Sequence, residues 1–270
     1  MSKKVIVITG IGGMGIACAR RIGSGYKLLL CDFSDKQLET VSAELSVGGY
    51  DVVTQKIDVA DKESVLAVAK KAAELGEIHA IVHTAGLSPT MSSADRILNV
   101  NLIGTARLLE AFEPYLSAGT VGVFISSSSS YLSGDLTPEQ EKQVIELSAD
   151  DLQVQASAWG ITDPNNAYPV SKRANRLQIA VASVKWGKKG ARVMSISPGV
   201  HSTPMGKQEQ EAHAFMNYMI DNTPAGRVGT AEDIASMVEF IISPAGNFLS
   251  GSDILVDGGV VAFLKTSATK

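Results

Sequence analysis

The 270-residue sequence contains only two cysteines, Cys18 and Cys31, and only four histidines. Two cysteines are too few for a disulfide framework, and such low usage suggests a reducing compartment. Neither cysteine has a second Cys or a His at the spacing that metal ligands use. We therefore expect no metal site, and we expect both cysteines to be small buried side chains.

Positive charge and long apolar runs are also scarce. The 24 Lys and Arg are outnumbered by 28 Asp and Glu, so no basic surface for nucleic acid is expected. No uncharged run approaches the length of a membrane span without glycine breaks. The N-terminus imitates a signal peptide, but glycines break its apolar stretch and Arg20-Arg21 follow where a mature chain would begin. We expect a cytoplasmic protein without membrane or nucleic-acid partners.

The sequence does contain a regular alternation of apolar runs and helical stretches. Its first run, residues 5–8, is continuous and β-branched, which is typical of a strand buried on both faces of a parallel sheet. The rhythm predicts an α/β fold over residues 1–270: a single doubly wound Rossmann-type domain with helices on both faces of the sheet. An acidic segment at about 131–165 interrupts it, and Thr137-Pro138 predicts the start of an inserted helix there.

A glycine-rich loop follows the first predicted strand and precedes a helix. Gly10, Gly12 and Gly15, with Gly13 and Met14 between them, fit the pattern G-x-G-x-x-G in the context that dinucleotide-binding proteins use. Bare backbone there lets a pyrophosphate approach the N-terminus of the helix. The alternative is a glycine-rich turn without a ligand.

Asp32 ends the second predicted strand, 22 residues after Gly10. Dinucleotide-binding folds place an acid near this position on the adenosine ribose, where it accepts hydrogen bonds from both hydroxyls and repels a 2′-phosphate. Phe33 follows, and no arginine is present there to bind such a phosphate. An exposed helix-capping aspartate is the alternative. The sequence favours NAD over NADP.

Tyr168 and Lys172 lie four residues apart, so they share one face of a predicted helix. We expect that helix to begin near Pro169, because proline suits a first helical turn. An ammonium beside a phenol lowers its pKa from about 10 towards neutrality, so that it can exchange a proton with an alcohol oxygen. The spacing also occurs by chance, so the assignment depends on the rest of the chain.

The rest of the chain contains further motifs in a recognisable order, and the whole sequence resembles the short-chain dehydrogenase/reductase family. The motifs are Thr-Gly-Ile-Gly-Gly-Met-Gly at 9–15, Asp58, Thr-Ala-Gly at 84–86, Asn-Val-Asn-Leu at 99–102, Ile-Ser-Ser at 125–127, Tyr-Pro-Val-Ser-Lys at 168–172, Pro-Gly at 198–199, Thr203 and Val-Asp-Gly-Gly at 256–259.

The resemblance implies a role for each matching residue. Tyr168 would be the general acid/base, and Lys172 would lower its pKa and hold the nicotinamide ribose. Ser127 would hydrogen-bond the reacting oxygen, and Asn101 would position water in a proton path to Lys172. Thr203 and the Val200 backbone would hold the carboxamide, and Asp58 the adenine. The full set of implied cofactor positions is Gly10, Gly12, Gly13, Met14, Gly15, Asp32, Phe33, Asp58, Val59, Ala85, Gly86, Tyr168, Lys172, Pro198, Val200 and Thr203.

Three departures from the family pattern stand out. The glycine loop is one residue short, which can shift the phosphate contacts. His83 and Thr84 replace the usual asparagine pair, and we expect His83 to be a core histidine. The connection from Ser127 to Tyr168 is far longer than usual and resembles a branch typified by bacterial 3α-hydroxysteroid dehydrogenase/carbonyl reductases. We expect this insertion to form a pocket wall that also blocks the usual tetramer and leaves a homodimer; a homotetramer is the alternative.

The expected function is that of an NAD-dependent oxidoreductase that interconverts a small-molecule secondary alcohol and its ketone. A medium-sized apolar alicyclic or steroid-like substrate is favoured. A predicted helix at about 208–220 offers apolar residues either as a lid or simply as packing. The alternatives are a family epimerase, dehydratase or enoyl reductase, and a non-catalytic NAD-binding sensor.

Overall fold

The computed structural model describes residues 3–212 and 214–267, and within them seven parallel strands form one sheet. The strand order is β3-β2-β1-β4-β5-β6-β7, so the carboxyl ends of β1 and β4 lie side by side at the switch point, where such sheets bind ligands. The strands are β1 (Val5–Thr9), β2 (Lys27–Asp32), β3 (Asp51–Lys56), β4 (Ile78–His83), β5 (Val121–Ile125), β6 (Arg192–Pro198) and β7 (Asp253–Val256).

Helices cover both faces of this sheet, so the predicted doubly wound α/β fold is confirmed. The helices α1 and α11 contribute to the core on one face, and α3, α5 and α8 to the core on the other. The helices are α1 (Gly13–Ile22), α2 (Asp35–Val47), α3 (Lys62–Leu75), α4 (Ala94–Ile97), α5 (Gly104–Phe112), α6 (Pro138–Glu146), α7 (Ala149–Ser157), α8 (Pro164–Gly187), α9 (Pro204–Ala212), α10 (Ala214–Asp221), α11 (Ala231–Ile242) and α12 (Val260–Ser267).

The first strand shows why its sequence is continuously apolar. Val5 and Val7 point into one core, whereas Ile6 and Ile8 point into the other, and all four are fully buried. Burial of each such side chain stabilises the fold by about 1.5–3 kcal/mol. The predicted strand buried on both faces is confirmed.

The two cysteines are free and buried, as predicted. Burial raises the pKa of both thiols, that of Cys18 to about 12, so neither is a nucleophile at neutral pH. Within residues 3–212 and 214–267, no helix is long and apolar enough to cross a membrane.

The helix that carries Tyr168 begins earlier than predicted. Asp163 caps it by accepting a hydrogen bond from the Asn165 backbone N–H at 2.9 Å, and Pro164 takes the first helical position. Pro169 therefore lies inside the helix, where it cannot donate a backbone hydrogen bond. The prediction was wrong because the Asp-Pro pair upstream is the stronger start signal.

A π-helical turn, Leu98–Ile103, separates α4 from α5. The Gly104 N–H donates to the Asn99 carbonyl, five residues earlier, instead of following the regular helical pattern. The Asn101 carbonyl in this turn accepts a hydrogen bond from the Asn175 side chain of α8 at 2.8 Å. The irregular turn thus ties the helix that carries Asn101 to the helix that carries Tyr168.

The inserted segment forms α6 and α7, and α6 starts with the predicted Thr137-Pro138 cap. Apolar side chains of both helices join those of α4, the π turn and α8 in a separate cluster. Of residues 131–165, only Leu132, Ser133 and Asn165 line the large cavity described below. The expectation that the insertion forms a pocket wall is therefore wrong for α6 and α7. Their apolar faces are buried against the outer side of the helical segments that carry Asn101 and Tyr168.

Two glycines flanking the inserted helices provide a matched test of this packing. Gly134 and Gly160 both adopt left-handed backbone, with φ of +83° and +68°. A Cβ on Gly134 would lie 2.4 Å from the Pro169 carbonyl carbon, whereas one on Gly160 would meet nothing within 4 Å. Gly160→Ala should lower the free energy of unfolding by about 1–2 kcal/mol, the cost of the backbone conformation alone. Gly134→Ala should cost clearly more in the same urea titration, and equal losses would contradict the close contact with α8.

Candidate active site

The glycine loop is closely packed on one side and open on the other. Gly10 has φ +84°, and a Cβ there would lie 2.4 Å from the Ala85 nitrogen. A Cβ on Gly15 would lie 2.0 Å from the Gly10 oxygen, whereas one on Gly12 would meet nothing within 4 Å. The first turn of α1 contains no acidic residue and no side-chain cap. Open backbone at a helix N-terminus fits a pyrophosphate, despite the missing residue of the loop.

Asp32 lies beside this loop at the carboxyl end of β2. One carboxylate oxygen accepts the Ile11 N–H at 2.8 Å, and the other accepts the Ser34 N–H at 2.9 Å. A carboxylate oxygen has a further lone pair, so each can also accept a ribose hydroxyl. Phe33 is 63% exposed. The geometry fits the adenosine side of a dinucleotide.

Asp58 and Val59 follow β3 at the same edge of the sheet. The Asp58 carboxylate accepts hydrogen bonds from the Ala60 N–H and from Arg96, both at 2.9 Å. Val59 is buried against Gly104, where a Cβ would lie 2.9 Å from the valine methyl Cγ2. Both residues are therefore held in fixed positions next to the sheet edge.

The structure brings Ser127, Tyr168 and Lys172 together. The Lys172 ammonium lies 5.8 Å from the centre of the Tyr168 ring and donates to the Ile125 carbonyl at 2.9 Å. The Ser127 side chain forms a hydrogen bond with that of Tyr168 and also accepts one from the Ser129 hydroxyl at 3.0 Å. Ser127, the residue predicted among the five consecutive serines at 126–130, therefore lies next to Tyr168, the predicted acid/base.

Asn101 holds the loop after β4 against this group. Its side chain accepts the Leu87 N–H at 2.8 Å and donates to the Leu87 carbonyl at 2.9 Å. A Cβ on Gly86 would lie 3.2 Å from the Asn101 amide oxygen and 3.4 Å from the Lys172 nitrogen. Glycine at this position lets the two side chains approach the same stretch of backbone.

Burial dominates the electrostatics of these groups. It raises the pKa of Tyr168 above its usual value, and the Glu209 carboxylate adds to the increase, while the hydrogen bond with Ser127 opposes it. Burial also lowers the pKa of Lys172 to about 8. The sequence predicted that Lys172 lowers the pKa of Tyr168; here desolvation raises that pKa instead, and Lys172 is not among the groups that shift it.

A cavity of about 630 Å³ joins the catalytic group to the glycine loop. The predicted residues that line it are Gly12, Gly13, Met14, Gly86, Ser127, Tyr168, Lys172, Pro198, Val200 and Thr203. Gly10, Gly15, Asp32, Phe33, Asp58, Val59, Ala85 and Asn101 lie outside its lining. The Thr203 side chain would contact a Cβ on Gly13 at 3.3 Å, so the loop after β6 adjoins the glycine loop across the cavity.

Sequence reasoning missed Glu209, which also lines this cavity. It lies on α9, within the region for which one helix at about 208–220 was predicted; residue 213 is outside the described residues, and α9 and α10 flank it. Burial raises the pKa of Glu209 to about 7, against the lowering effect of Lys172. The available signal was its spacing of four residues from Met205, which places both on one helix face.

Comparison with known proteins identifies the family. Residues 3–136 match the model of the short chain dehydrogenases, and residues 152–261 match a model described as enoyl-(acyl carrier protein) reductase. The chain is 36% identical to the short-chain dehydrogenase/reductase bsc3 of Alternaria brassicicola over 98% of both chains. The chain belongs to the short-chain dehydrogenase/reductase family. Members of this family are oxidoreductases that typically bind a nicotinamide cofactor.

Two further comparisons agree with this assignment. The chain is 29% identical to the 3-alpha-hydroxysteroid dehydrogenase/carbonyl reductase of Comamonas testosteroni, over 97% of this chain and 98% of that protein. A short-chain dehydrogenase/reductase structure from Brucella melitensis, titled glucose/ribitol dehydrogenase, superimposes with a TM-score of 0.75 at 26% identity. That comparison covers 96% of this chain and 99% of the other.

His83 is a core histidine, as expected. It occupies the position where the family usually has asparagine. It is 2% exposed, its Nδ1 pairs with the Thr9 hydroxyl at 2.7 Å, and its Nε2 has no hydrogen-bond partner among the described residues. Burial, and next the charge of Lys172, lower the pKa of His83 to about 3. The imidazole is therefore neutral at physiological pH.

This burial predicts a specific pH dependence of stability. Below pH ~6.5 an unfolded histidine binds a proton, whereas folded His83 does not until about pH 3. The unfolded state is therefore favoured as the pH falls. Between pH 6.5 and 5 the free energy of unfolding should fall by about 2 kcal/mol more in the wild type than in His83→Asn, in parallel urea titrations. The other histidines are common to both proteins and cancel, so identical pH dependence would refute a neutral buried His83.

Proposed function

We propose that the protein is an NAD-dependent oxidoreductase that interconverts a secondary alcohol and its ketone, with Tyr168 as general acid/base. The observation that carries this proposal is that Tyr168, hydrogen-bonded to Ser127, lines the same cavity as the glycine loop. A cofactor on that loop and a substrate at Tyr168 would share one space. The roles implied by the family resemblance are therefore geometrically compatible.

In the direction of ketone reduction, Tyr168 donates its phenolic proton to the carbonyl oxygen and Ser127 donates a hydrogen bond to the same oxygen. Residues of the glycine loop and of the stretch 198–203 would hold the nicotinamide cofactor, which would supply the hydride when bound. The raised pKa of Tyr168 keeps the phenol protonated before the reaction, and the Lys172 ammonium stabilises the phenolate that forms. Alcohol oxidation uses the same groups in reverse. Asn101, next to Lys172 across Gly86, would position water in the path that replaces the proton.

The apolar part of the cavity supports a medium-sized alicyclic or steroid-like frame for the substrate. The residues that provide it are Met91, Leu132, Met205, Phe215, Met216 and Met219. Methionines adapt their shape to a bound group and make favourable contacts with rings. The name of the Comamonas testosteroni relative is consistent with such a substrate. The apolar residues of α10 thus serve the cavity rather than only packing on the fold.

An enoyl reductase is the second candidate, because residues 152–261 match a model with that description. Enoyl reductases of this family generally have a wider spacing between the tyrosine and the lysine. Here Tyr168 and Lys172 are four residues apart, on adjacent turns of α8. This spacing favours the alcohol and ketone reaction.

Replacement of Tyr168 tests the chemistry. Tyr168→Phe keeps the ring and removes the proton, so turnover of cyclic ketones, followed by NADH absorbance, should fall about a hundredfold or more. The dissociation constant for NADH should change little. Tyr131→Phe is the control, because Tyr131 is bound to Asp253 and lies outside the cavity lining. Near-normal turnover by Tyr168→Phe would exclude the assignment, and NADH binding without turnover of any ketone or alcohol by the wild type would favour a sensor.

Asp32 predicts the choice of cofactor. Its carboxylate would repel a 2′-phosphate, so NADH should bind at least about tenfold more tightly than NADPH, equivalent to ~1.4 kcal/mol. Asp32→Asn should reduce that ratio, whereas Asp35→Asn should not, since Asp35 is exposed and pairs with Lys56. Fluorescence titration of NADH and NADPH measures both constants. Equal affinities in the wild type would contradict the NAD assignment.

A further inference from the structure

The cavity combines apolar side chains with uncharged polar ones, and it contains a single carboxylate. Among the described residues that line the cavity, Glu209 is the one acid. Met205 lies four residues before it on α9, so the two side chains share a helix face, and Phe215 and Met216 of α10 line the same space. The one acidic group of the cavity therefore lies on the same side as methionine and phenylalanine side chains.

Glu209 has no partner that would explain its position. It forms no ion pair or hydrogen bond with any residue in the described part of the chain, and Lys172 acts on it only electrostatically. The Lys172 ammonium donates instead to the Ile125 carbonyl. The other titratable groups of the lining are Tyr168 and His201, and the His201 Nδ1 pairs with the Gly199 carbonyl. The cavity thus contains a half-buried carboxylate without a counter-ion in contact.

We propose that Glu209 binds a positively charged ammonium group of the substrate, so that the preferred substrate is an aminoalcohol or aminoketone with an apolar ring frame. This inference rests on the proposed function and specifies its substrate class. A carboxylate taken out of water gains more from a full charge than from a neutral hydroxyl. The neighbouring Phe215 ring also offers a favourable surface to a cation. The raised pKa of Glu209 fits a carboxylate that lacks its cation.

The test uses two alcohols that differ in one atom. The cation 1-benzyl-4-hydroxy-1-methylpiperidinium carries a charge that does not titrate, and 4-benzyl-4-methylcyclohexanol replaces its nitrogen by carbon. Calorimetry of the NADH-loaded enzyme measures binding of each alcohol, and initial rates with NAD give kcat/KM. At pH 8 the wild type should prefer the cation, and Glu209→Gln should reduce this preference in binding about tenfold. Glu211→Gln is the matched control, because Glu211 is an exposed acid two residues away on the same helix.

The pH dependence provides an independent readout. Because Glu209 is protonated below about pH 7, affinity of the wild type for the cation should fall between pH 8 and pH 6 by more than that of Glu209→Gln, in which the titration of Lys172 near pH 8 remains, while affinity for the neutral alcohol should not follow it. The inference would be overturned if Glu209→Gln kept the full preference for the cation over the neutral alcohol, or if Glu211→Gln lost as much of that preference. Because binding is measured without turnover, these outcomes are distinct from failure of the proposed function, which would appear as binding of both alcohols without oxidation of either.

Discussion

The functional part of this protein depends on one backbone-to-backbone contact, where the loops after β1 and β4 meet. The Thr9 carbonyl accepts hydrogen bonds from the N–H groups of Thr84 and Ala85 at 2.8 and 2.9 Å, and the Thr84 hydroxyl donates to the Gly10 carbonyl at 2.5 Å. A side chain at residue 10 would separate the loops. The contact fixes the glycine loop on one side and positions Gly86 beside Lys172 on the other.

A second constraint is the burial of the ionisable groups at and beside the site. Burial disfavours the charged forms of Tyr168, Lys172 and His83. The His83 imidazole is therefore neutral, whereas a charged imidazole would repel the Lys172 ammonium. The Thr9 hydroxyl satisfies one nitrogen of that imidazole. The histidine can therefore replace the usual asparagine of the strand without adding a charge to the site.

Much of the fold and site could be predicted from sequence, because the signals are local. β-Branched runs, helix caps and the glycine loop identify strands, helices and a ligand-binding edge within a few residues of each feature. The π turn at Leu98–Ile103 could not be predicted in this way, because its contact with α8, from the Asn175 side chain to the Asn101 carbonyl, joins residues about seventy positions apart. Glu209 could not be predicted as a site residue either, because it reaches the cavity only when α9 packs over it. For the inserted helices, the acidic and apolar pattern does not reveal which surface they cover.

The position of α6 and α7 affects how the packing of α8, the helix that carries Tyr168, depends on protein concentration. In many family members the helices equivalent to α5 and α8 pack against a neighbouring subunit. Here Val144 and Leu152 of the inserted helices cover the outer side of α8 and the π turn from within the same chain. Intramolecular packing is not subject to mass action. The packing that α6 and α7 add to this side of the Tyr168 helix is thus independent of protein concentration.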